Sequence, residues 1–319
     1  MLDSTPRDGR PWHTEGRILQ VAINAEADLA HPWTVEQMAA DAGLSPFHFL
    51  REFERWIGEP PLRYLKRLRL ERAAFWLAVA GDSATDIAVA AGYSSREGFT
   101  RAFAAHFRRS PAAFRAAIRA GWRERARRHP RRPSSVKSVR EVRLPAQRAA
   151  CLRGWGDSTT AILSTWMRLN RWIRTRPDLS EPFQPLDLTG DDQLITPSRR
   201  FRYDAGILVP ASFSPSGPVA IHSLPARRCL EAHVIGSASD VMAAWDWLFD
   251  VHLPERENVF LADHRAQTLY AGGLPRNPSA LLHLDACLIV PIAPWRHQDL
   301  PAIAKEQFWS HMNSIGTVD

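Results

Sequence analysis

Apolar positions in the first 120 residues follow a helical period, and the pattern is written twice. Ile18, Val21, Ala22, Ala25 and Leu29 fall on one stripe and predict an amphipathic helix over 17–28. A short alanine-rich helix is expected at 35–42 and a longer one at 46–57. A linking helix is expected at 62–79, where Leu65, Leu68, Ala73, Phe75 and Trp76 alternate with Arg63, Lys66, Arg67, Arg69 and Arg72. The second copy follows: Ala42-Gly43-Leu44-Ser45 is echoed by Ala91-Gly92-Tyr93-Ser94. After one inserted residue, Phe49 and Phe53 are echoed by Phe99 and Phe103. Gly43 and Gly92 each stand where the left-handed turn between two helices favours glycine. Ser45 and Ser94 are the expected N-caps, Pro46 opens the first downstream helix, and Pro111 opens a final one. This is the pattern of a tandem helix-turn-helix.

Beyond residue 135 the period shifts towards alternating strands and helices, again in two copies. Leu144-Pro145-Ala146 is echoed by Leu224-Pro225-Ala226. Each copy continues into a strand-like run (149–155, 229–235), a glycine (Gly156, Gly236) and a helix carrying a central tryptophan (Trp166, Trp245). Further strands are expected at 201–209, 267–271 and 284–290. The prediction is two domains: an all-α tandem helix-turn-helix head, 1–120, and an α+β body, 136–294. The body should comprise two pseudo-symmetric strand-strand-helix-strand repeats around a cleft floored by sheet. Residues 121–135, basic and broken by proline, read as a linker that either touches phosphates or serves only as a tether. Residues 295–319 hold a short helix at 303–313 and no functional signal.

Charge sharpens this division. The 319-residue chain carries a net charge of +7. Residues 1–135 hold 22 Arg and Lys against 15 Asp and Glu, and the remainder is balanced, so the excess sits at the N-terminal end. A basic helical head on a neutral body suits a polyanion partner. No apolar run approaches the roughly 20 residues of a membrane span, and no signal-peptide layout opens the chain. A cytoplasmic protein without membrane contact is therefore expected. Cys151, Cys229 and Cys287 lie in apolar runs and read as buried thiols, without a disulfide framework. The 12 histidines show no metal-ligand spacing, so neither metal nor cofactor is expected.

Candidate DNA contacts follow from the helical faces. On the first recognition helix Phe49, Leu50, Phe53 and Trp56 form the candidate packed stripe, leaving Phe47, His48, Arg51 and Arg55 outward. The second offers Arg96, Glu97, Thr100 and Arg101. Arginine can grip guanine O6 and N7 in bidentate fashion, and Glu97 can accept from cytosine N4. Each arginine can equally touch only phosphate, and Glu97 can equally be a solvated acid at a helix N-terminus.

The turn Ile87-Ala88-x-Ala90-Ala91-Gly92-Tyr93, the Phe99-x-Arg101-x-Phe103 helix and the Ser110-Pro111-x-x-Phe114-Arg115 end resemble the AraC/XylS family DNA-binding domain. The resemblance implies base contacts near Phe47, Leu50 and Arg51, with two recognition helices in successive major grooves roughly 34 Å apart. Double-stranded promoter DNA is the implied partner, with RNA polymerase as a further candidate and the bacterial nucleoid as the place of action. Val142-x-Leu144-Pro145, Asp191-Asp192, Arg202-Tyr203-Asp204-Ala205-Gly206 and Leu288-Ile289-Val290-Pro291-Ile292 resemble the GyrI-like effector-binding domain. That family's pocket combines aromatic walls with a buried acid and suits lipophilic cations. This chain departs from it twice: His252-Leu253-Pro254 replaces the family's Trp-Leu-Pro, and Thr268 replaces a glutamate two residues before Tyr270. The missing glutamate weakens the case for a cationic ligand, so neutral or weakly cationic aromatic compounds are the expected effectors. Both departures weaken a hydrolase role, and no catalytic residue is assigned. Candidate effector contacts are Trp155, Trp166, Tyr203, Glu231, Trp245, Thr268, Tyr270 and Asp285. Asp204 is expected to be a turn or salt-bridge residue. The expected function is a ligand-responsive transcription regulator sensing a small aromatic or lipophilic effector. The alternatives are a xenobiotic hydrolase fused to a DNA-binding head, or a regulator whose body binds a protein.

Overall fold

Seven helices precede the first strand in the computed structural model, which describes residues 10–79, 84–93, 95–128, 131–177, 179, 182–255, 259–261, 265–273, 275 and 278–294. They are α1 (Arg10–Ala27), α2 (Val35–Asp41), α3 (Pro46–Ile57), α4 (Pro61–Val79), α5 (Ala84–Ala90), α6 (Arg96–Phe107) and α7 (Pro111–Arg128). The pairs α2–α3 and α5–α6 are the two helix-turn-helix units, with Gly43 at φ 63° and Gly92 at φ 79° in the turns. Thr34 and Gln37 form a capping box on α2, and the Ser45 hydroxyl caps α3 by accepting from the His48 amide. In the second unit the cap is Ser95, not Ser94; its hydroxyl accepts from the Gly98 amide. The one-residue insertion in the repeat moved the cap along with the helix.

Each unit has its own core on α4. Ile18, Val21, Phe49 and Phe53 pack with Tyr64, Leu65 and Leu68. Phe99, Phe103, Phe114 and Ile118 pack with Leu70, Ala74 and Leu77. Residues 121–128, expected to belong to a tether, continue α7. Ile118, Trp122 and Arg125 lie on one helical face at i, i+4 and i+7. Only one of the last two is apolar, so composition concealed the stripe.

The body comprises β1 (Val136–Leu144), β2 (Gln147–Trp155), α8 (Thr159–Arg174), β3 (Pro185–Thr189), β4 (Arg202–Val209), β5 (Ala220–Leu224), β6 (Arg227–Gly236), α9 (Ala238–Trp247), β7 (Val259–Leu261), β8 (Ala266–Tyr270) and β9 (Leu284–Pro294). The strands form an antiparallel sheet in the order β1-β6-β9-β8-β3-β4-β2-β5, with β7 on β9. Exchanging the two repeats (β1 with β5, β2 with β6, β3 with β8, β4 with β9) reverses this order onto itself. The pseudo-twofold axis therefore passes between β3 and β8. Each repeat lends its first strand to the other, since β1 pairs with β6 and β5 with β2.

The two faces of the sheet have different work. On the front, Ala150, Leu152, Tyr203, Ala205, Leu230 and Leu288 pack with Trp166 of α8 and Ala244 of α9. Gly154 permits this: a Cβ there would lie 1.9 Å from the Thr165 hydroxyl on α8. On the back, α1 lies against the edge strand β5, with Leu19 and Ile23 on Ala220. The Gln20 side chain exchanges hydrogen bonds with the backbone of Ile221, covering an edge that would otherwise be open. The possible helix at 303–313 lies outside the described residues.

Candidate nucleic-acid interface and effector site

Serine caps and glycine turns fix which side of α3 and α6 reaches solvent. On α3, Phe49, Phe53 and Ile57 are buried, while Phe47 is 78% exposed and His48, Arg51 and Arg55 stand beside it on the outer face. Leu50 does not join the packed stripe; it is 38% exposed and sits with Phe47 and Arg51. Glu52, which the sequence did not single out, is nearly buried and organises that face. Its carboxylate lies 3.3 Å from Arg51 Nε and 3.8 Å from Arg55 Nη1. Both arginines stand in solvent, so these pairs are weak enough to open when a base edge or phosphate competes. On α6, Arg96, Glu97 and Arg101 are exposed, and Thr100 is half-buried against its helix.

A second set of side chains converges at the centre of the body. Asp187 faces the front from the middle of β3, paired across the strands with Thr268 of β8. Its Oδ2 accepts from the Tyr203 hydroxyl at 2.8 Å and from the Tyr270 hydroxyl at 2.5 Å. Trp166 Nε1 donates to the Tyr203 hydroxyl at 2.8 Å, and the Trp166 and Tyr270 rings meet edge-on with centroids 5.4 Å apart. Burial raises the Asp187 pKa above the usual carboxylate value, against the lowering effect of the tyrosine and Thr268 hydrogen bonds. Burial and the adjacent carboxyl push both tyrosines well up. The result is a dry, aromatic cluster around one acid, lying on the pseudo-twofold axis.

Comparison with known proteins then assigns the two parts. Residues 38–117 match the helix-turn-helix domain family, and residues 137–266 match the GyrI-like small molecule binding domain family. The chain joins an AraC-type head to a GyrI-like body. An HTH-type transcriptional regulator of Haemophilus influenzae is 36% identical over 86 residues, which is 27% of this chain and 29% of that protein. The HTH-type transcriptional regulator AlkR of Acinetobacter baylyi is 37% identical over 113 residues, 34% of this chain and 36% of the other. The chain thus spans about a third of the length of these curated relatives. A crystal structure of the DNA-binding domain of AdpA in complex with a target DNA aligns at 31% identity and TM-score 0.32, covering 33% of this chain and 96% of that one.

In the GyrI-like body, the sequence candidates divide. Tyr203, Thr268, Tyr270 and Trp166 meet around Asp187. Trp155 does not; it packs on the core of the first helix-turn-helix unit, with the Arg153 guanidinium 5.9 Å from its ring centroid. Glu231 is also elsewhere, because period two puts it on the back face, with Arg140 Nε 2.7 Å away. Trp245 stacks on Phe249 at 5.3 Å within the core, and Asp285 pairs with His233 at 2.8 Å. His252 stacks on Trp247 at 4.7 Å. Cys151 and Cys229 are buried and Cys287 is only half-buried; all three are free. Among the described residues no cluster could hold a metal ion, and no helix is long and apolar enough to cross a membrane.

The AraC-type head and GyrI-like body meet through buried charge. Arg153 on the back of β2 holds Asp204 of β4 at 2.8 Å and 2.7 Å, and reaches both oxygens of Glu26 on α1. Arg202 Nη1 lies 3.0 Å from Glu26 and its other nitrogens grip Asp191. Tyr64 of α4 donates to Glu26, and His222 Nε2 lies 2.9 Å from Asp204. Asp204 is thus the salt-bridge residue its motif suggested. Burial alone would raise the pKa values of Glu26 and Asp204; the arginines outweigh it and hold both well below the usual range. Burial lowers the His222 pKa, against the raising effect of the Asp204 carboxylate.

Proposed function

We propose that the protein is a ligand-responsive transcription regulator. The head binds double-stranded promoter DNA, the body takes up a small aromatic or lipophilic molecule, and occupancy of the body changes DNA binding. The DNA half is carried by the exposed faces of α3 and α6, where Phe47, Leu50 and Arg51 on one helix and Arg96 and Arg101 on the other stand clear of the body. The effector half is supported by the cluster of Asp187, Tyr203, Tyr270 and Trp166. It supplies on β3 an acid of the kind that position 268 on β8 lacks. An acid that shares a dry site with aromatic rings favours a lipophilic cation over a neutral isostere.

Two measurements test this. Full-length protein should select a bipartite duplex from a random pool and bind it with an affinity that falls steeply as salt rises. Methyltriphenylphosphonium should raise the unfolding temperature more than neutral triphenylphosphine oxide, since a ligand at 100 times its Kd adds roughly 2.7 kcal/mol. Equal shifts would remove the cation preference, and no sequence preference would remove the DNA reading. A hydrolase would need an acid and a tryptophan where Thr268 and His252 stand, and robust turnover by the unmodified protein would overturn the regulator reading. The reading places the protein in the bacterial cytoplasm, at the nucleoid when bound, with RNA polymerase as a further partner.

A further inference from the structure

The segment between β3 and β4, residues 190–201, reaches both halves of the head. Asp191 grips Arg202, which in turn holds Glu26 of the first helix-turn-helix unit. Asp192, its neighbour, accepts from Trp122 Nε1 at 3.1 Å and lies 3.4 Å from Arg125 Nη2, both on α7 of the second unit. Ile195 is buried in the core of that second unit, and Arg200 grips Glu59 between α3 and α4 of the first. One loop of the body is therefore bolted to both units.

The head alone does not fix the two units to the same degree. Their cores are separate, and each packs on its own stretch of α4. A single helix, α4, is common to both cores and sets the distance between units through its rise per residue. The loop adds a second attachment common to both units, and α1 adds one for the first. Gly16 brings α1 so close to the body that a Cβ would lie 2.3 Å from the Gly217 carbonyl oxygen.

We propose that the 190–201 loop is a splint that fixes the relative orientation of the two recognition helices, and so sets the half-site spacing that the protein reads. This rests on the DNA-binding reading above. It goes further by assigning spacing specificity to body residues that lie away from α3 and α6. The loop also hangs from the strands bearing Asp187 and Tyr203, which gives an occupant of that cluster a short path to both recognition helices.

The test uses full-length protein and a duplex selected by that protein from a random pool, compared with the same duplex carrying two extra base pairs between its half-sites. The unmodified protein should discriminate by about tenfold or more, because half-site spacing is a geometric requirement. Asp192→Ala removes a partly exposed bolt of the loop, and Trp122→Phe removes the hydrogen bond that Asp192 accepts while keeping a ring in the core; both should fold normally by circular dichroism. Gly16→Ala strikes the other attachment and also tests the close approach. Each should reduce the discrimination towards onefold while leaving affinity for an isolated half-site duplex unchanged. Undiminished discrimination in all three folded variants would overturn the splint and leave the DNA reading intact. Failure of the unmodified protein to select any duplex would overturn both.

Discussion

Arg153 shows how much one residue can carry. It lies almost wholly buried between Glu26 of the head and Asp204 of the body. Removing it leaves Glu26 with Arg202 and Asp204 with His222, each buried carboxylate without its main cationic partner. Arg153→Met should therefore cost about 3–5 kcal/mol in urea denaturation of the full chain, and a loss below about 1 kcal/mol would contradict the network's role. The pH response has a definite sign. Glu26 and Asp204 have folded pKa values depressed below their unfolded values near 4. Their contribution is fully present above pH ~5 and is lost only as strong acid takes them through their folded values. Asp187 acts in the opposite sense. Its folded pKa is raised, so it lowers stability as pH climbs from about 4 through the folded value. Asp187→Asn should remove that downward slope and weaken binding of a lipophilic cation relative to its neutral isostere. Denaturation at stepped pH and paired thermal shifts measure both, and an unchanged ligand ratio would mean that Asp187 does not face the ligand.

Elements show what local pattern can and cannot reveal. The recognition helices were legible because a glycine turn, a serine and a phenylalanine pair recur in the same order, with one residue inserted in the second copy. The faces were less so: Leu50 was placed on the packed stripe yet is exposed, because Ile57 completes the buried face of α3 instead. Arg51→Ala or Arg101→Ala should cost roughly 1–3 kcal/mol at one operator position and relax preference there. Mobility-shift titrations on single-base variants test this, and a uniform loss across all variants would reduce that arginine to a phosphate contact. Strand β3 was missed entirely. It has five residues, starts with Pro185 and carries Asp187 at its middle, so its apolar signal is only Leu186 and Leu188. That same intrusion of an acid into a short apolar run was the one available hint of the effector cluster. Glu231 and Trp155 were legible as acid and aromatic but not as back-facing, since strand register decides the face and register is a long-range property.

At the scale of the whole molecule, the division into head and body was legible from charge and period, and their union was not. The ion pairs that bind them join residues far apart in sequence, such as Glu26 with Arg153 and Arg125 with Asp250. Gly16, where α1 comes nearest the body, stood just outside the helix expected at 17–28, so no local pattern marked that contact. The exchange of first strands between repeats was equally hidden, because β1 and β5 pair across the molecule instead of with their sequence neighbours. The proposed regulation needs these contacts to carry an effect of occupancy from the body to the head, and the account stands on that coupling. Its most direct test is a fluorescence-anisotropy titration of the selected duplex with full-length protein at fixed salt, with and without a saturating lipophilic cation already shown by thermal shift to bind. The account predicts that the cation changes DNA affinity by roughly 5- to 150-fold, the usual range of allosteric coupling. Identical affinity with the cation demonstrably bound would contradict it.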